Sequence, residues 1–135
     1  MSDIGVLVAL GVLHFVIGGL WYSPLAFAER WMQGLGITHA DIREARIDTK
    51  AAVAASALAS FAQATVIILL LRQMPNPSVL TGSLWGLVIA GAFSFLPMLK
   101  DRVWADRSWS VILIDAGYEL VAAGAVGALA VAWAA

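Results

Sequence analysis

The chain has 135 residues, of which 61% are hydrophobic and only 13% charged, with eight Lys and Arg against nine Asp and Glu. That charged share is about half the ~25% of an average soluble domain, too little to cover the large relative surface of a small soluble fold. The net charge of −1 offers no basic surplus for nucleic acid, and the lack of cysteine rules out disulfides, thiolate metal sites and cysteine nucleophiles.

No charged residue occurs from Ile4 to Ala28, a run that exceeds the ~20 residues needed to cross a hydrocarbon core. A first membrane helix is predicted over about Ile4–Tyr22. The first basic residue is Arg30, so the stretch lacks the basic start of a secretory signal and is expected to be retained. Trp21 and Tyr22 sit where an interfacial aromatic belt belongs, and Ser23-Pro24 should break the helix. After Pro24, apolar Leu25, Phe27, Trp31, Met32 and Leu35 alternate with Glu29, Arg30 and Gln33. This pattern predicts a short amphipathic helix on the membrane surface, ended by Gly34 and Gly36. Thr38 with Asp41 three residues on resembles a capping pair.

A second uncharged helix is expected over about Ala51–Leu71, then a tight connector through Pro75 and Pro77. The third is expected over Val79–Leu99, with Pro97 near its end, and a charged loop from Lys100 to Ser108. The fourth takes Ser110–Trp133 and differs in carrying Asp115 and Glu119. Trp31, Trp104 and Trp109 join Trp21 and Tyr22 as expected interface residues. The expected fold is all-α: one transmembrane domain over residues 1–135, an antiparallel four-helix transmembrane bundle with the surface helix after the first span.

Orientation follows from basic residues. Arg30, Arg43, Arg46 and Lys50 lie between the first and second spans, and Lys100, Arg102 and Arg107 between the third and fourth. Only Arg72 lies on the other side. Both basic loops should face the cytoplasm, with both termini outside.

Ionisable groups within a bilayer cost about 2.5–3.5 kcal/mol each on insertion scales, so they normally face a partner or water. His14, Gln63 and Glu119 lie at similar depths, roughly 12, 18 and 14 Å from the cytoplasmic helix ends at ~1.5 Å rise per residue. Asp115, Tyr118 and Glu119 share one side of the fourth helix, Ser56, Ser60 and Gln63 one side of the second, and Gly11, His14, Gly18 and Trp21 a stripe on the first. These faces are expected to turn inward. On a functional reading Glu119 binds a proton or cation, Tyr118 and His14 assist, and Asp115 opens toward the cytoplasm. The structural alternative is a protonated Glu119 hydrogen-bonded to His14 or Gln63, holding the helices in register.

Gly82 and Gly86 have G-x-x-x-G spacing with Ala90 one turn on, and Gly117, Gly124 and Ala128 lie away from Glu119. Both sets are expected to be packing seams. Because the fourth helix then has contacts on two sides, a homo-oligomer or a larger membrane complex is an expected partner besides the lipid. No G-x-S-x-G, H-E-x-x-H, phosphate loop or dinucleotide fingerprint occurs, so no enzyme activity, cofactor or metal is expected.

The run Gly18-Gly19-Leu20-Trp21-Tyr22-Ser23-Pro24, then Phe27, Trp31-Met32 and Gly34 or Gly36, resembles the opening of the DUF1761 family of small bacterial membrane proteins. Asp115-Ala116-Gly117-Tyr118-Glu119-Leu120 resembles that family's closing segment, where Asn is common at the position of Asp115. The resemblance implies a bacterial plasma-membrane location and four helices, but supplies no substrate. A non-enzymatic accessory or assembly subunit of a membrane complex ranks slightly ahead of a small, oligomeric proton- or cation-coupled transporter or channel.

Overall fold

The structure is a computed structural model that describes residues 2–44 and 46–134. Its helices are α1 (Asp3–Trp21), α2 (Ala28–Leu35), α3 (His39–Arg43), α4 (Thr49–Leu71), α5 (Val79–Ala90), α6 (Leu96–Trp104) and α7 (Trp109–Ala134). No strand occurs among the described residues. Four helical stretches are long and apolar enough to cross a membrane: Asp3–Trp21, Thr49–Leu71, Val79–Trp104 and Trp109–Trp133.

Side-chain caps set most of the starts. Ser2 accepts a hydrogen bond from the Gly5 amide, and Ser78 accepts from Thr81. Asp48 accepts from Ala51, which begins α4 at Thr49, two residues before the expected Ala51. The Thr38–Asp41 capping box forms as expected and opens α3.

The third span departs most from expectation, because it runs on to Trp104 and takes up much of the predicted Lys100–Ser108 loop. Pro97 has no N–H to give and its ring crowds the carbonyl one turn back, so a regular α-ladder cannot pass through it. The helix widens into a π-helical turn over Gly91–Phe95, in which the Leu96 amide reaches the Gly91 carbonyl. It then resumes as α6 with proline in the first turn, where the missing N–H leaves no gap.

α7 is the central element, with 56% of its apolar 18-residue stretch buried against 22% of the corresponding stretch in each of the other three spans. α5 packs chiefly on α7, whereas α1 and α4 pack on each other and each on α7. Glycine makes the α5–α7 approach possible. A methyl group at Gly82 would overlap the Gly127 carbonyl oxygen, and one at Gly86 the Ala123 carbonyl oxygen. Gly124 meets Leu87 and Ser83 of α5, and Gly117 lies against Trp21 of α1. The two contact sides expected of the fourth helix are thus both occupied within one chain.

α2 also has its apolar face occupied. Ala28 and Met32 are buried, and Gly34 admits Val111 and Ser110 of α7. The expected surface helix therefore exists, but it lies against α7 and leaves mainly Leu25 and Leu35 outward. At the other end of the molecule, Arg72 after α4 pairs with Asp3 of α1 at 2.8 Å, bringing the start of one helix beside the end of the other.

Candidate functional site

Three helices turn polar side chains toward one another beneath α2. Gly11 lets the Phe61 ring of α4 close on α1, since an added Cβ there would lie 2.5 Å from Phe61 Cδ1. Gly18 does the same for α7, with the Tyr118 ring 3.2 Å from where its Cβ would be. These two openings bring His14, Ser60 and Tyr118 together. The Tyr118 hydroxyl lies 2.9 Å from His14 Nδ1, and Ser60 Oγ lies 3.1 Å from the same atom. His14 and Ser60 are almost completely buried.

Of the two hydroxyls the nearer phenol is also the stronger donor. With Tyr118 donating to Nδ1, the ring proton of neutral His14 sits on Nε2. That Nε2 is buried and has no hydrogen-bond partner. A ring nitrogen so placed is costly to leave unmet, by about 1–3 kcal/mol.

The two carboxylates of α7 have very different surroundings. Asp115 accepts from the Tyr22 hydroxyl at 2.7 Å and from Trp31 Nε1 at 2.8 Å, both at Oδ1, while Arg107 donates to Oδ2 at 3.0 Å. Its charge is balanced and both oxygens are bonded. Glu119, one turn further along, accepts only from Ser94 Oγ in the π-helical turn, at 3.3 Å. It bonds neither His14 nor Gln63, which corrects the expected helix-register bond. The pairing also differs from the expectation of an open Asp115, because this carboxylate is held by three donors.

All five residues of the expected polar cluster, His14, Gln63, Asp115, Tyr118 and Glu119, line one cleft of about 510 Å³. Ser56 and Ser60 of α4 and Met98 of α6 line it too. No Lys or Arg does. The packing glycines Gly82 and Gly86 stand apart on the α5–α7 seam, while Gly11 and Gly18 shape the cleft region.

Sequence reasoning missed five contacts. Tyr22 and Trp31 were expected as interface residues, and Trp21 both there and on the inward stripe of the first helix, yet the acceptors were not foreseen: each directs its polar atom at α7, with Trp21 Nε1 donating to the Ile114 carbonyl at 2.9 Å. Arg107 precedes α7, so no helical spacing signals its pairing with Asp115. Ser94 is the mid-span polar residue of the third helix, and that was the available signal. Trp104 and Trp109 remain outward, with Arg102 5.6 Å over the Trp109 ring. Among the described residues, no three His, Cys, Asp or Glu side chains gather as a metal site.

Comparison with curated proteins and with solved structures returns no match. A family model described as a protein of unknown function, DUF1761, matches residues 4–131, nearly the whole length. With its four apolar helices and a match of that extent, the chain belongs to the DUF1761 family.

Proposed function

We propose that the protein is a small proton- or cation-coupled carrier of the bacterial plasma membrane, with Glu119 as its exchanging group. The four apolar stretches cross the bilayer as an antiparallel bundle. The basic loops lie on the cytoplasmic side and both termini outside, following the distribution of Lys and Arg. Large apolar side chains such as Leu58, Leu80 and Leu113 face outward, as lipid contact requires, and Trp104 and Trp109 mark an interface.

The observation that carries the proposal is the contrast between the two carboxylates of α7. Asp115 is tied down by a cation and two neutral donors, and its role is to anchor α2 and the end of α1 to α7. Glu119 faces the same cleft with a single long hydrogen bond and no basic partner. An intramembrane carboxyl with so few bonds can exchange a proton for a cation without dismantling the fold. That cleft is our reason for preferring transport to an accessory role.

The test is proton movement in reconstituted vesicles. A pH gradient would be imposed and sodium, potassium and a quaternary ammonium ion supplied in turn. Glu119→Gln should abolish the cation-stimulated component, while the exposed Glu29→Gln should keep it. Rates equal to those of empty vesicles for every cation, or an active Glu119→Gln variant, would refute the carrier.

A further inference from the structure

We infer that the ligand of the cleft is a small organic cation with an apolar body, such as a substituted amine or quaternary ammonium compound. The inference deepens the carrier proposal and rests on it for the site, though not for its evidence.

Size is the first observation. About 510 Å³ far exceeds the ~30 Å³ share of a water molecule and falls in the range of small-molecule pockets, ~300–1,000 Å³. A path for protons or bare inorganic ions has no need of such a space. Charge is the second. Asp115 is offset by Arg107, and among the described residues no Lys or Arg lines the cleft, so an ionised Glu119 has no counter-charge in its walls. An anionic ligand would meet an unopposed carboxylate, and a neutral one would leave that carboxylate without a counter-charge.

The third observation is the wall. Phe15, Val53, Ala59 and Met98 supply apolar surface, and Tyr22 stands edge-on to both Trp31 and Tyr118, at 5.2 and 5.6 Å between ring centres. Aromatic rings in the wall of a cleft that also holds Glu119 suit an alkylated ammonium group, which is weakly hydrated and attracted to ring electrons.

The experiment is equilibrium binding to the full chain in lipid nanodiscs by titration calorimetry. Three probes would be used: benzyltrimethylammonium, neutral benzyl alcohol and benzenesulfonate. The cation is expected to bind more tightly than the other two by about tenfold or more, as an ion pair with Glu119 and a cation–π contact together imply. Glu119→Gln should remove that preference. Gly19→Leu is the second variant: Gly19 lines the cleft, and a Cβ there meets nothing within 4 Å, so the larger side chain can occupy ligand space without a backbone clash. It should weaken the cation in a protein that still melts cooperatively. Equal binding of the neutral probe, or a cation preference that survives Glu119→Gln, would overturn the inference. Flux with sodium or potassium but no organic-cation binding would refute this ligand class and leave the carrier standing. Binding without flux of any cation would refute the carrier and leave the ligand class.

Discussion

Gly86→Ala is the sharpest test of the α5–α7 seam, because one methyl group sets two opposing effects against each other. Alanine is the better helix former, favouring the variant by up to about 1 kcal/mol. Against this, the new Cβ would overlap the Ala123 carbonyl oxygen and lie 2.6 Å from its carbon and 3.1 Å from Gly124 Cα. Carbon atoms rest at about 3.5–4.0 Å, and all three obstacles are main-chain atoms of the most buried helix, which cannot swing aside as a side chain would. The helices must part locally, and overpacking of this kind costs about 1–3 kcal/mol. The clash should win, with a net loss of about 1–2 kcal/mol and, on the scaling of globular domains, a fall in Tm of roughly 3–8 °C. Gly19→Ala is the matched control, since its Cβ meets nothing within 4 Å. It should melt at or slightly above the wild-type temperature. Tryptophan fluorescence during heating in one detergent would read both. A Gly86→Ala protein as stable as wild type would mean that α5 and α7 do not approach through this glycine.

Other variants probe the polar groups. Asp115→Asn keeps an oxygen for Tyr22 and Trp31 but loses the charge opposite Arg107, and should cost about 1.5–3 kcal/mol. Part of that loss should be restored in Asp115→Asn with Arg107→Gln, and a double-mutant cycle with zero coupling would refute the pair. Tyr118→Phe removes the nearer partner of His14 while Ser60 remains at 3.1 Å, so a loss of about 1 kcal/mol is expected in thermal unfolding, and no change would disprove the bond. Outside the membrane, hydrogen bonds from the Thr38 side chain, then its backbone amide, hold the Asp41 carboxyl below its ordinary range. A depressed carboxyl stabilises the fold above its unfolded pKa of ~3.9 and loses that contribution as pH falls through the lower folded value. Amide exchange in α3, corrected for intrinsic rates, should therefore accelerate at low pH before that of α7, and Asp41→Ala should remove the difference.

The spans and the polar stripes were legible because both depend on period and length, which are local properties. His14, Ser60, Gln63, Tyr118 and Glu119 share inward faces for the geometric reason that i, i+3 and i+4 positions do. Helix adjacency was not legible. Glu119 meets Ser94 rather than His14 or Gln63 because α7 sits between α5 and the α1–α4 pair, and hydropathy does not encode that order. Pro97 signalled a disturbance, but whether it ends a helix or widens it depends on whether following residues can continue the ladder. Tyr22 and Trp31 hid their second role because a ring suited to the interface is equally suited to reach a buried acceptor with its polar atom.

Placing the most connected helix after the other three spans has a consequence for biosynthesis. Translation delivers α1, α4 and α5 before α7, and α4 and α5 have little to hold them together on their own. The glycine groove of α5 therefore waits, uncovered, for a partner still inside the ribosome. A ribosome stalled before Trp109 would leave in the membrane a product with that groove open and with Tyr22 and Trp31 lacking their acceptor. Such a product carries the features by which a quality-control protease can tell an unfinished molecule from a finished one.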